Sequence, residues 1–323
     1  MEYIHAIDNN DIEYVKHLIN NTDVNIDSAP YPTENTALNY AAIYNNLVIV
    51  KLLVKAGANL ERANEDGQTP LYSAVLHGNM GIVKFLIESG ANINTAESIS
   101  NYTPLHMALV MARFEKYVNI AILLIKSGSN LDAETSLRRT PLHILVNTSI
   151  EISVDFDDED ATEEKNVIKI AKLLIQGGAN VNAVDNDNNT PLHFAFKVDV
   201  ADNEDMRDND FELAYILLEA GANNRLFNND LERPFDVAFD DDLTRFGEFL
   251  KKKNVTKKYS KMLTQKIRNR ARANITKKID KTLVRSRKIP SDLAPSIAEY
   301  VLGSGKRTRR HRPKKKRKKS KRR

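Results

Sequence analysis

Three Thr-Pro-Leu-His sequences place a hydroxyl and an imidazole three residues apart: Thr103 with His106, Thr140 with His143, and Thr190 with His193. Such groups invite a catalytic or metal-binding reading, because a histidine base activates nucleophiles and imidazole is a common metal ligand. The other histidines, His5, His17, His77 and His311, are scattered. No acid–base or nucleophile constellation converges on any of the seven. No glycine-rich phosphate loop appears. Two aspartate-rich stretches could hold calcium, but the alternating Asp/Asn ligands with a following glycine and distant glutamate are absent. The chain has no cysteine, which removes disulfides, zinc–thiolate sites and cysteine nucleophiles together and suits a reducing compartment. The reading is therefore no enzyme, with no catalytic residue, no cofactor and no metal.

The elements that carry these residues repeat. Thr69-Pro70-Leu71-Tyr72-Ser73-Ala74 returns as Thr103 to Ala108, Thr140 to His143 and Thr190 to Ala195. Weaker copies start at Thr36 and Arg233. A second motif trails each copy: Gly57-Ala58-Asn59, Gly90-Ala91-Asn92, Gly128-Ser129-Asn130, Gly178-Ala179-Asn180 and Gly221-Ala222-Asn223, each after a leucine-rich run. Threonine can cap a helix start, and proline in the first turn lacks only an N–H that would be unpaired anyway. The late glycine suits a left-handed helix end. Gly90→Val is accordingly expected to be strongly destabilising and Gly78→Ala mild.

These paired motifs resemble the ankyrin-repeat family over about residues 2–250. The resemblance implies an all-α ankyrin-repeat solenoid of helix-turn-helix repeats with short β-hairpin loops, no packed β-sheet core, and neighbours that must stack to bury their apolar faces. It also implies that His106, His143 and His193 make hydrogen bonds within the turn. The solenoid is read as residues 1–250, with an N-terminal cap over 1–31, repeats from about 32, 66, 100, 137 and 187, and a cap over 226–250. Ile12, Val15, Leu18 and Ile19 mark the second helix of the first cap.

The resemblance implies a non-catalytic scaffold or adaptor that binds a protein partner on its concave face, made of hairpin tips and first helices. Mapping by repeat position gives Tyr44, Glu65, Asp66, Gln68, Leu76, His77, Tyr102, Met111, Arg139, Asn186, Asp187 and Lys197. Tyrosine, methionine and arginine are types that anchor interfaces.

The late glycine stands 12 residues before the next repeat start in four cases and 13 in one, Gly90 to Thr103. All larger length differences fall between the two helices of a repeat, so insertions emerge on one edge. The longest are acidic, from Glu151 to Glu164 and from Asp199 to Asp210. They read either as solvated loops or as a ridge for a basic partner, the chain's own basic part included.

The net charge of +5 hides an asymmetry: from Lys251 onward there are 30 Lys/Arg and 3 Asp/Glu, leaving 18 and 40 before it. Residues 251–302 are read as a basic helical segment, its helices either capping the solenoid or offering a surface to membranes or nucleic acid. Membrane partners are not expected, since no apolar run approaches the roughly 18 residues a spanning helix needs, and Met1 to Asn20 lacks the apolar core of a secretory signal. Within the segment, Ile289, Pro290, Leu293, Ile297 and Tyr300 look similar to the opening of an F-box-like motif, as in ankyrin proteins of large DNA viruses. That likeness implies a Skp-type ubiquitin-ligase adaptor as partner; a plain capping helix is the alternative.

Residues 303–323 are read as a disordered polybasic tail for nuclear targeting: Lys306, Arg307, Arg309, Arg310 and Arg312, then Lys314, Lys315, Lys316, Arg317, Lys318 and Lys319 unbroken. Its charge suits importin or non-specific nucleic acid, in a nuclear or cytoplasmic protein, in a host nucleus if viral. A chromatin-associated recruitment protein is the competing reading. The chain is expected to be a monomer.

Overall fold

The structure is a computed structural model that describes residues 2–253 apart from 22–23, 30–33, 152–160, 198–207 and 239. Internal contacts divide the chain into two units, Met1–Lys252 and Lys253–Arg323. The F-box-like positions Ile289, Pro290, Leu293, Ile297 and Tyr300, and the basic run from Lys306, lie outside the described residues.

The first unit is built from helix pairs: α1 (Glu2–Asp8) and α2 (Ile12–Asn20), α3 (Ala37–Ile43) and α4 (Leu47–Lys55), α5 (Pro70–Leu76) and α6 (Met80–Glu88), α7 (Pro104–Val110) and α8 (Glu115–Lys126). These are followed by α9 (Pro141–Glu151) and α10 (Ala161–Gln176), α11 (Pro191–Phe194) and α12 (Asp208–Glu219), α13 (Pro234–Val237) and α14 (Asp240–Lys252). First helices stack on first helices, α3 on α5 on α7 on α9 on α11 on α13, and second helices stack on second helices from α2 to α12, with α14 against α12. No residue among those described is in a strand. This is the expected all-helical ankyrin solenoid.

Local chemistry sets the helix bounds. Thr36, Thr69 and Thr103 precede their helices in extended backbone and accept the N–H of the third helical residue. Proline follows at the start of α5, α7, α11 and α13. Second helices stop at a left-handed glycine: Gly90 has φ +91°, and the next N–H, of Ala91, reaches back to the Leu86 carbonyl at 3.0 Å. Leucine and alanine of the first helices (Leu71, Ala74, Leu105, Ala108) and aliphatics of the second (Ile82, Val83, Leu86, Leu124) are fully buried. The last pair substitutes an aromatic cluster, with Phe246 within 5.3 Å of Phe196 and 5.6 Å of Phe211 between ring centres.

Three local features differ from the sequence reading. Gly78 also requires left-handed backbone (φ +74°), because the first helix turns into the second there, as Asn10 (φ 51°) and Asn45 (φ 56°) do in earlier pairs. The hairpins are closed turns rather than strands, their ends joined by a backbone bond such as Asn64 N–H to Gln68 O at 3.1 Å or Asp185 N–H to Asn189 O at 3.0 Å, with a second bond inside such as Gly67 N–H to Asn64 O at 3.0 Å. The insertion after His143 is partly helical: α9 runs 11 residues and α10 runs 16, against 7 and 9 in the repeat at Thr69. Of the added residues, Thr148 and Val167 are buried, and the Thr148 hydroxyl donates to the Ile144 carbonyl at 2.8 Å within the longer α9.

Candidate protein-binding surface

Two hydrogen-bond systems hold the turns in line, one buried and one along exposed loops. In the first, His143 Nδ1 accepts the Thr140 N–H at 3.2 Å and lies 2.9 Å from its hydroxyl, which fixes the ring proton on Nε2. Nε2–H then donates across the repeat boundary to the Asn189 carbonyl at 3.0 Å. His193 does the same with Thr190 and the Glu232 carbonyl at 3.1 Å. At His106 the corresponding acceptor is the Arg139 carbonyl, but the contact does not close to hydrogen-bond geometry and Nε2 stays unsatisfied. Asn39 fills this role in the first full repeat, accepting from the Thr36 hydroxyl at 2.6 Å and donating to the Gln68 carbonyl at 2.8 Å. Burial pushes His106 and His143 down to about 4 and lowers His193 as well, so these rings are neutral, and those of His143 and His193 tie adjacent repeats.

The second system runs along the loops after the late glycines. Asn59 N–H donates to Asp27, Asn92 N–H to Glu61, Asn130 N–H to Asn94, Asn180 N–H to Asp132 and Asn223 N–H to Asn182, all at 2.7–2.8 Å. Within each loop, the asparagine after Gly-Ala or Gly-Ser accepts the N–H two residues on, as Asn92 does from Asn94 at 3.0 Å. The relay needs an acceptor two residues beyond each asparagine, and Arg225 supplies none, so the ladder ends where the last pair caps the stack.

The predicted partner-binding residues are at the two ends of the first helices. Gln68, Tyr102 and Arg139 immediately precede first helices; Glu65, Asp66, Asn186 and Asp187 are at the turn tips beyond them. Tyr44, His77, Met111 and Lys197 follow first-helix C-termini or the turn after them, roughly 10 Å away across a seven-residue helix. The predicted residues thus form two rows.

Tyr44 is 59% exposed and packs tilted against Tyr40 with ring centres 4.8 Å apart. Its hydroxyl, with burial and Asp8 adding, raises the Tyr40 pKa. Glu65 is exposed, Asp66 and Gln68 half-buried. The exposed His77 ring is 2.9 Å from the Ser73 carbonyl, and its own carbonyl accepts from Lys116 at 3.3 Å. Leu76 is half-buried and its carbonyl accepts the Tyr117 hydroxyl at 2.8 Å. Tyr102 and Met111 are half-buried, Tyr102 lying 5.8 Å from the His106 ring. Asn186 and Asp187 are exposed, and Asn186 N–H binds the Leu137 carbonyl at 3.0 Å. Two predicted residues converge on one ring: Arg139 lies 5.1 Å and Lys197 6.0 Å from the centre of Phe194. Arg139 also pairs with buried Asp185 at 3.7 Å.

Sequence reasoning missed Ile99, Leu137 and Leu231, turn-tip residues that are 73%, 50% and 79% exposed. The signal available for Ile99 was the single 13-residue spacing from Gly90 to Thr103. Among the described residues no group of His, Asp or Glu is placed to hold a metal ion, and no helix is long and apolar enough to cross a membrane.

Comparison with known proteins matches the model for ankyrin repeats (3 copies) at residues 3–97, ankyrin repeats (many copies) at 78–125 and a single ankyrin repeat at 138–186. No curated protein matches the chain in sequence. Among solved structures, the ankyrin repeat domain of Bcl-3, a member of the IkappaB protein family, is 24% identical with a TM-score of 0.60, over 78% of this chain and 98% of that one. The likeness to Bcl-3 shows the fold. The repeat matches, the threonine-capped first helices, the left-handed glycines and the two ladders agree: the chain belongs to the ankyrin-repeat family.

Proposed function

We propose that the chain is a non-catalytic scaffold that binds a protein partner across the turn tips and the exposed ends of its first helices. Ankyrin repeats are protein-binding modules in general, and the observation that supports this face is its division of labour. The histidine and asparagine ladders tie successive repeats to one another, while Tyr44, Tyr102 and Arg139 present aromatic and cationic surface from positions those ties hold in place. Groups fixed before binding lose little entropy on complex formation. The test is capture of partners from cell extract by the full chain and by a Tyr44→Ala, Tyr102→Ala, Arg139→Ala variant. Loss of the captured partners is expected; retention of all of them assigns binding to another face.

The remainder of the chain supports an adaptor role. Ile289, Pro290, Leu293, Ile297 and Tyr300 are the residues that would engage a Skp-type ubiquitin-ligase adaptor. Retention of such an adaptor by the full chain, and its loss in Leu293→Asp, Ile297→Asp, is the expected result; no retention by the full chain removes this part. The 14 positive charges in residues 306–323 support nuclear import through importin. The same charge density favours a second reading, recruitment to nucleic acid through phosphate contacts whose affinity falls steeply with salt. A fluorescent fusion of the whole chain against one ending at Leu302 separates them: relocation alone indicates import, and loss of salt-sensitive duplex binding indicates nucleic-acid contact.

A further inference from the structure

The turn from Glu97 to Tyr102 closes on a bond from Glu97 N–H to the Tyr102 carbonyl, one residue longer than the turns at 64–68, 135–139, 185–189 and 228–232. The neighbouring turns show which residue is extra. Each turn hands one backbone bond to the next: Ser98 N–H to Asp66 O, Ser136 N–H to Ser100 O, Asn186 N–H to Leu137 O and Asn229 N–H to Asp187 O. Ser100 therefore holds the tip register that Asp66, Leu137 and Asp187 hold elsewhere, and Ile99 is the inserted residue. It is 73% exposed.

The insertion is held firmly. The Glu97 carboxylate is buried and accepts three backbone N–H groups of its own turn, from Ile99 at 2.7 Å, Ser100 at 2.8 Å and Tyr102 at 3.0 Å. An isoleucine is thus presented on a braced loop beside Leu137, itself 50% exposed on the adjacent tip. Isolated exposed aliphatics are ordinary, but these two stand on adjoining, hydrogen-bonded turns, one of them through a dedicated insertion. The tips on either side carry acid: Asp66 before, Asp187 after. Neither has an ion-pair partner among the described residues, whereas the nearby cations are engaged, Arg138 with Glu134 at 3.4 Å and Arg139 with Asp185 at 3.7 Å.

We infer that the tips of four successive turns form a docking row reading acid, aliphatic, aliphatic, acid, and that its occupant is an extended protein segment with two aliphatic residues flanked by lysine or arginine. Packed helices lie about 8–10 Å apart, which sets the step between tips. A polyproline-type strand advances about 9 Å every three residues and returns its side chains to one face. A matching segment therefore carries its basic, aliphatic, aliphatic and basic residues at every third position. Charge complementarity selects a basic partner over an acidic one. The inference rests on the scaffold reading above and specifies the chemistry that this part of the face accepts.

The probe is a fluorescent peptide with lysine, leucine, leucine and lysine at every third position and serine or proline between, titrated with the full chain by anisotropy. Binding that weakens with added salt is expected, with loss of about tenfold or more when the leucines become serine or the lysines become glutamate. Ile99→Ser with Leu137→Ser should weaken the parent peptide to the same degree, and Asp66→Lys with Asp187→Lys should shift preference to the glutamate peptide. Equal binding by these variants, no binding of the lysine peptide, or loss of a self-associated species in Ile99→Ser, Leu137→Ser without any peptide effect each overturns the proposal. If extract partners are lost in Tyr44→Ala, Tyr102→Ala, Arg139→Ala but the tip variants bind the peptide unchanged, the scaffold reading stands and the docking row falls.

Discussion

Lowering the pH from 7 to 5 offers protons to histidines that the folded chain cannot accept. His106 and His143 are buried and neutral, and burial moves each from 6.5 to about 4. The unfolded chain binds protons below pH about 6.5, and the folded chain does not until about 4. The histidine contribution is thus complete above the unfolded pKa and drains away as pH falls towards the folded one. Moving a ring from 6.5 to about 4 corresponds to roughly 3 kcal/mol for each at the acid limit, and about 2 kcal/mol at pH 5. Two such rings are a large share of the 5–15 kcal/mol that typically holds a domain together. The control is written into the chain, because Asn39 makes both bonds of the histidine position without a titrating ring. Urea unfolding at pH 7, 6 and 5 should show a steep loss of stability in the parent and a shallower one in His106→Asn, His143→Asn, with carboxylate effects common to both. Parallel pH profiles for the two proteins would refute the account of neutral, buried ties.

Other perturbations test the remaining structural arguments. Gly90→Val should cost about 1–3 kcal/mol from backbone strain alone, since a β-carbon at Gly90 meets nothing within 4 Å. Gly78→Asn should cost less in the same urea assay, because asparagine already occupies the equivalent left-handed turns at Asn10 and Asn45 and the Lys116 side chain, which a β-carbon would meet at 2.7 Å, has a flexible end that can move aside. Phe246→Ala should remove about 3–5 kcal/mol by hollowing the aromatic cap, seen as a lower thermal midpoint. Asn94→Ala leaves the Asn130 N–H without its acceptor and should cost about 1 kcal/mol, with faster hydrogen exchange at Asn130.

Much of the fold was legible because each repeat spells out its own punctuation. Thr69-Pro70 announces a first helix and Gly90-Ala91-Asn92 ends a second, and both signals act locally. Lengths between helices were less legible. The sequence after His143 is a plain insertion by count, yet both helices run into it, with Thr148 and Val167 buried in the added turns. Gly78 was misread because helix-ending glycine was expected only after second helices, whereas the tight turn between paired helices imposes the same positive φ. The surface residues were located by repeat position, which says where a side chain starts but not whether a neighbour covers it. Arg139 illustrates this: its register marks a contact residue, but its guanidinium is partly committed to Asp185 and Phe194. Ile99 illustrates the converse, an apolar residue exposed because one turn is a residue too long.

The central claim is that a protein partner docks on the turn tips and first-helix ends while the ladders stay intact. Hydrogen exchange of the full chain with and without a partner recovered from extract tests it most directly. Added protection confined to the turns at 64–68, 97–102, 135–139 and 185–189 and to the residues after the first helices, Tyr44 and His77 among them, is the predicted result. Protection that falls instead on the second helices α4, α6 and α8, with the turns unchanged, would contradict it.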